Sequence, residues 1–304
     1  MNALALVRTA APPTPLEAST VAGHEVLLKR EDTGPNGAFK WRGALCSCEA
    51  LRVDGATGVV MSSTGNHGAA TAWAAGRLGM SAHAVVPENA SERKCALIAD
   101  RGAELNRVGG NVDEAAHAAR RLAGELGLPF MEDGVSEAQL AGTGTNGAEL
   151  ADAGADLVIR QLACGALAGG LSHELKLLER PPAVLGVQSN AFPRLGALWH
   201  GQPDPGISSA ASFAGGLADS RNVESAFGAC RPYLDDVIAV SDEVLRDAIR
   251  ELDRATGIVV EGAGAATVAA LLTRPGVVPD GGRVVLILRG ANLDDADARD
   301  ILDR

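Results

Sequence analysis

From residue 57 onward the chain alternates short apolar runs with longer stretches of helical spacing, and this alternation limits the fold more than any other feature. Thr57–Met61 reads as a strand and Asn66–Leu78 as a helix. Ala82–Val86 and Ser91–Arg101 repeat the pair, with Ser91 placed to cap the helix. Ala103–Val108 and Val112–Leu126 repeat it again. A second series runs through strand 156–163, helix 171–179 and strand 183–188. After a looser Gly/Ser/Pro-rich stretch at 201–222 come strand 237–240, helices 242–256 and 264–272, and strand 283–288. Strands joined through helices pair in parallel, and the helices cover both faces of the sheet. The reading is an α/β protein with two units that change over near 130–150. A crevice between such units is the expected ligand site.

Composition narrows the core and the partners. Aromatic residues make up 3% of the chain, so the core must be built from Ala, Val, Leu and Ile. The formal charge of −11 argues against nucleic acid, where affinity comes from neutralising phosphates. No apolar run is long enough to span a bilayer. Met1–Arg8 lacks the basic and apolar regions of a signal peptide, so a cytoplasmic protein is expected. Five scattered cysteines fit reduced thiols rather than a disulfide framework. Cys46 and Cys48 lack partners at zinc-site spacing.

Three loops carry chemistry. Gly34-Pro35-Asn36-Gly37-Ala38-Phe39-Lys40-Trp41 sets a lysine between two aromatics after a glycine turn. The spacing predicts a helix over 39–52 with Phe39, Leu45 and Leu51 facing the core. Lys40 then lies near the helix N-terminus, where the dipole disfavours a protonated amine and leaves a nucleophile. The polar loop Ser62–Gly68 lies between strand and helix, where hydroxyls and amides bind a carboxylate; the simpler reading is helix capping by Ser or Thr. Gly165-Ala166-Leu167-Ala168-Gly169-Gly170 follows a strand and opens a helix, so its backbone N–H groups suit an anion. It is neither a P-loop nor a dinucleotide fingerprint. Amine, polar loop and anion cradle together point to a carbonyl cofactor with a phosphate tail.

The segments Gly-Ala-Phe-Lys40-Trp-Arg-Gly-Ala and Ser-Ser-Thr-Gly-Asn66-His-Gly resemble those of the fold-type II pyridoxal-phosphate (PLP) enzymes, nearest to the threonine/serine dehydratase and serine racemase branch. Thr14-Pro15-Leu16, Ala141–Thr145, Val260–Ala265 and Val285–Asn292 extend the likeness from about 14 to 295. The resemblance implies a two-domain fold with twisted, mostly parallel sheets and helices on both faces. Residues 1–46 and 134–304 would form the large PLP-binding domain, and 47–133 a small mobile domain that closes on substrate. Lys40 would be covalently joined to the cofactor and act as the catalytic base. Phe39, Asn66, Glu261 and Arg289 would contact the cofactor, and Cys164, Gly165, Ala166, Leu167, Ala168 and Gly169 would hold its phosphate. Ser63, Thr64, Gly65, Asn66 and His67 would hold the substrate carboxylate.

Three departures qualify the likeness. The phosphate loop reads Cys164-Gly165-Ala166-Leu167 instead of four glycines, which alters its shape without removing backbone donors. Ser189-Asn190-Ala191-Phe192 offers no acid for the branch's divalent-metal site, so no metal is expected. Position 289, where the branch has a small hydroxyl or thiol facing the pyridine nitrogen, is arginine. A guanidinium only donates and stays charged, so facing the ring it keeps that nitrogen unprotonated. The competing reading turns Arg289 toward Glu261, Asp294 or Asp295. The implied activity is β-elimination from a small β-substituted L-amino acid, such as serine, threonine or a hydroxylated analogue, giving a 2-oxo acid and ammonia. The rivals are a β-replacement synthase, an amino-acid racemase and a PLP-binding protein without turnover. A cytoplasmic homodimer is expected. The substrate side chain is expected near 190–222, Phe39 and Thr143.

Overall fold

The apolar runs at 157–161 and 284–287 are buried throughout, and the computed structural model shows why. It describes residues 2–134, 136–163, 165–206, 212–218 and 223–303. The elements in chain order are α1 (Ala3–Ala10), β1 (Leu16–Val21), β2 (His24–Lys29), α2 (Trp41–Val53), β3 (Gly58–Ser62), α3 (Asn66–Arg77), β4 (Ser81–Val86), α4 (Glu92–Ala99), β5 (Glu104–Arg107) and α5 (Val112–Leu126). They continue with α6 (Glu137–Ala148), β6 (Leu157–Gln161), α7 (Ala166–Lys176), β7 (Ala183–Ser189), α8 (Arg194–Trp199), α9 (Val223–Cys230), β8 (Asp236–Val240), α10 (Asp242–Thr256), α11 (Gly262–Thr273), β9 (Val284–Ile287) and α12 (Asp295–Leu302). Contacts divide the chain into two units, one of Met1–Ala10 with Lys40–Gly142 and one of Ala11–Phe39 with Thr143–Arg304.

The first unit holds a parallel sheet in the order β3-β4-β5. Ser91 accepts from the Lys94 N–H as the expected cap of α4, and Asn111 caps α5 through Asp113 and Glu114. Alanines on one face of α5 pack with Val60 and Val85, the small-residue core that the composition requires.

The second unit holds six strands in the order β1-β2-β9-β6-β7-β8. All neighbours are parallel except β1 and β2, which form an antiparallel hairpin at one edge. Side chains alternate between two cores, as a period of two demands. Leu157, Ile159, Leu185, Val187, Val284 and Leu286 enter the core beneath α10 and α11. Val158, Val184, Val237, Val285 and Ile287 enter the other, with Leu167 and Leu171 of α7.

Order along the chain and order in the sheet diverge at one place. The chain builds outward through β6, β7 and β8, then returns through α10 and α11 to insert β9 on the other side of β6. The β6/β9 boundary is therefore a switch point, and crevices at the carboxyl ends of strands there are where open α/β sheets hold ligands.

Several elements lie where the sequence suggested none: α1, β1, α6, α8, α9 and α12. β1 is a mostly exposed edge strand without apolar alternation. α6 reads Glu-Ala-Gln-Leu-Ala-Gly-Thr-Gly-Thr-Asn-Gly-Ala, a poor helix former in isolation. Its small residues serve packing instead, since a Cβ on Gly142 would lie 2.3 Å from the Arg42 carbonyl oxygen. α7 begins at Ala166, five residues before the expected start at 171.

Candidate active site

Two loops of the second unit leave the switch point. After β6 the chain reaches Gly165, at φ +80°, a left-handed conformation that glycine adopts without strain. A Cβ there would also lie 2.7 Å from Ala226 Cα. Gly165 is the N-cap of α7 and offers no side-chain acceptor to the helix. The Gly169 N–H donates to Gly165 O at 2.6 Å, so the outward-facing donors of the first turn are the amides of Ala166, Leu167 and Ala168. Leu167 and Ala168 bury their side chains in the core beneath α7, which keeps their added carbon away from those donors. Cys164, also expected in this loop, lies outside the described residues.

The loop after β9 carries Arg289, which is 3% exposed. Its Nη1 donates to Gly216 O at 2.8 Å, and its Cζ lies 5.1 Å from the centre of the Phe39 ring. Its Nε is 3.6 Å from Glu261 Oε1, an ion pair but too long for a hydrogen bond, and Nε is buried with no hydrogen-bond partner among the described residues. Glu261 is the N-cap residue of α11, and its N–H donates to Gly290 O at 3.1 Å. The glycine turn before Lys40 is laid against the same loop. Ala38 bridges to Gly290, Phe39 N donates to Arg289 O, and Gly37 at φ +70° sits where a Cβ would press on Asn292 Oδ1 at 2.9 Å. Phe39 and Thr143 are both buried.

Lys40, in the first unit, is the N-cap residue of α2, as the helical spacing implied. The chain has four lysines; among the others, Lys29 pairs with Glu149 and Lys176 with Asp235. The Lys40 side chain is 10% exposed, and its amine donates to Asp133 Oδ2. Sequence reading missed Asp133, which sits in a stretch with no periodicity beside the change of unit. Gln139 Nε2 donates to Asp133 Oδ1 at 3.2 Å, and His67 Nδ1 lies 3.7 Å from the same oxygen. Burial acts to raise the Asp133 carboxyl, but the charges of Lys40 and His67 and the hydrogen bonds from Lys40 and Gln139 outweigh it, and hold it below the usual carboxylate range. The dipole argument for a neutral Lys40 therefore meets a stronger opponent. A helix terminus is worth about 0.3–1 kcal/mol, whereas an adjacent opposite charge shifts a titration by about 1–3 units, or ~1.4–4 kcal/mol.

The polar loop folds partly on itself. Gly65 N donates to Ser63 Oγ at 3.2 Å, and the N-cap of α3 is Gly65, with no side-chain cap. Capping by Ser or Thr is thus not the loop's use. Thr64 and Asn66 are half-buried, and Asn66 opens α3. His67 is 4% exposed, with Nε2 3.2 Å from Met131 O.

The sequence profile of the pyridoxal-phosphate dependent enzymes matches residues 7–290. The chain belongs to that family. It is 32% identical over 280 residues to the L-threonine ammonia-lyase of Thermotoga maritima, covering 91% of this chain and 69% of that one. The crystal structure of a threonine deaminase from T.th. superimposes with a TM-score of 0.87 at 31% identity, covering 96% of both chains. Maize serine racemase gives 0.89 at 26% identity, covering 98% of this chain and 94% of that one. The fold is that of the fold-type II members, and the cofactor of this PLP-dependent enzyme is pyridoxal phosphate.

The residues present fit that cofactor on three counts. Lys40 supplies an amine, and the uncapped first turn of α7 supplies backbone donors for a phosphate. Arg289 Nε is a buried donor that lacks an acceptor among the described residues, which the lone pair of a pyridine nitrogen would provide.

Proposed function

We propose that this PLP-dependent enzyme is an ammonia-lyase that eliminates the β-substituent of a small L-amino acid, serine, threonine or a hydroxylated analogue, to give a 2-oxo acid and ammonia. The observation that carries the reading is the placement of Lys40 at the start of α2, its amine withdrawn from solvent against a carboxylate. The similarity to threonine ammonia-lyases and deaminases supports the reaction class.

When bound, the cofactor supplies an electron sink for the carbanion at Cα. Lys40 Nζ takes the Cα proton as general base and so becomes an ammonium. The amides at the start of α7 orient the phosphate, and the positive end of the helix favours its charge. Ser63, Thr64, Gly65, Asn66 and His67 hold the substrate carboxylate. Asn66, Phe39 and Glu261 would also hold the cofactor. Residues 47–133 act as a mobile substrate domain that excludes water on closure. The working form is a cytoplasmic homodimer.

The test is a visible spectrum of the purified protein with added pyridoxal phosphate, then titration with a panel of amino acids while ammonia and 2-oxo acid are scored. Both products should appear with serine or threonine. A lysine-bound spectrum without either product from any amino acid rejects the lyase assignment. Turnover that needs an added thiol or amine shows replacement instead.

A further inference from the structure

The group paired with Lys40 was not foreseen from sequence and has no part in the scheme above. Asp133 is held on three sides. Lys40, at the start of α2, donates to Oδ2; Gln139, on α6, donates to Oδ1; and His67, on α3, lies 3.7 Å from Oδ1. Gln139 is itself fixed, because its Oε1 accepts the Gly134 N–H at 3.0 Å, one residue past Asp133. The carboxylate is therefore built in place rather than swinging from a loose loop.

The histidine adds a second proton site. Its Nε2 lies 3.2 Å from the Met131 carbonyl oxygen, which only accepts, so the ring hydrogen belongs on Nε2. A neutral His67 then turns the Nδ1 lone pair toward Asp133, whereas a protonated one turns an N–H toward it. The carboxylate thus favours His67 as a cation, and the two can share one proton when a neighbouring positive charge is removed.

Resting on the assignment of Lys40 as the cofactor lysine, we infer that Asp133 is a positioning residue that keeps the Lys40 amine in its charged form and so sets the pH at which it can bond to the cofactor. It holds Nζ as an ammonium in the resting protein, so solvent base must remove one proton before Nζ can act as a nucleophile. Bonding to a carbonyl carbon needs the nitrogen lone pair, so one of the three N–H protons leaves to solvent base. The other two leave with the carbonyl oxygen as water as the C=N bond forms. When Lys40 later takes a proton from Cα, the same carboxylate stabilises the new ammonium.

A carboxylate beside Nζ favours the charged amine, so capture of pyridoxal phosphate by Lys40 should require a higher pH than it would without Asp133. The experiment measures the rate at which the lysine-bound absorbance appears across pH, in wild type, Asp133→Asn and Asp133→Glu, with Lys40→Ala as the blank. In Asp133→Asn the midpoint should fall by about 1–3 units, which is a ~10- to 1,000-fold faster capture at a pH below both midpoints. Asp133→Glu should stay near wild type. An Asp133→Asn midpoint equal to wild type overturns the inference. Should Asp133→Asn not fold, wild type decides alone. With only four lysines, 15N-lysine NMR resolves the Lys40 Nζ signal, identified by its loss in Lys40→Arg. That signal should remain an ammonium above the ordinary lysine range, about 10.4; titration within that range overturns the proposal. Failure of wild type to capture the cofactor on Lys40 rejects the functional assignment instead, and the NMR titration still tests the Asp133 pair.

Discussion

Replacing Lys40 by alanine removes the amine and its ion pair with Asp133. We expect Lys40→Ala to lose the lysine-bound absorbance and the borohydride-fixed label, and to lower turnover by at least the ~10²–10⁴-fold typical of a general base. Label retained on another lysine contradicts the assignment. Arg289 is the more discriminating residue. Its Nε is buried and lacks a hydrogen bond among the described residues, so the Glu261 pairing weighed from sequence is present yet too long to use that donor. Our hypothesis is that Nε faces the ring nitrogen and keeps it unprotonated, which weakens the electron sink and favours elimination over racemisation. Arg289→Ser should move the 15N shift of labelled cofactor toward the protonated form and raise the share of racemised product. An unchanged shift and unchanged partition dispose of the idea. Position 289 was visible in the sequence because arginine there is chemically unlike a hydroxyl. Asp133 was not, because nothing local distinguishes it from the other acids of a chain at −11.

At the scale of elements, the turn into α7 is the sensitive one. Gly165→Val forces a branched residue into a left-handed conformation, at about 1–3 kcal/mol, and drives its Cβ into Ala226. Denaturant unfolding should report that loss, and cofactor affinity should fall further than stability because the amides of the first turn move. Equal affinity in a folded Gly165→Val protein argues that the phosphate binds elsewhere. The hairpin edge rests on a different device. Lys29 and Glu149 pair at 2.5 Å with side chains 1% and 3% exposed, and Lys29 also donates to Thr14 O at 2.7 Å. Lys29→Met strands the glutamate charge and should cost about 3–5 kcal/mol by the same denaturant measurement; less than about 1 kcal/mol would mean that water reaches the site. Sequence read α5 and α10 well because each has a capping side chain and a sustained apolar stripe. It missed α6, whose glycines serve close approach rather than helix propensity.

For the molecule as a whole, burial sets thiol chemistry. Desolvation pushes Cys46 and Cys48 up to about 12 and Cys230 up to about 11. At pH 8 their thiolate fractions are therefore on the order of 10⁻³ or less. Alkylation followed by mass spectrometry should leave these three unmodified until the protein unfolds, and labelling of the folded protein within minutes contradicts this burial. By itself the sequence determined the α/β class, because strand and helix periods alternate along the chain and periodicity is a local property. It also placed Lys40 at a helix start and Gly165 between a strand and a helix, since glycine, proline and capping residues act within a few positions. Tertiary structure alone decided that β9 returns to lie between β2 and β6, which sets the loop of Arg289 at the switch point beside the turn of Gly165. It alone brought Asp133 to the amine of Lys40, 93 residues earlier in the chain. Pairings at such separations depend on which apolar faces can be buried together, and no local spacing records that choice.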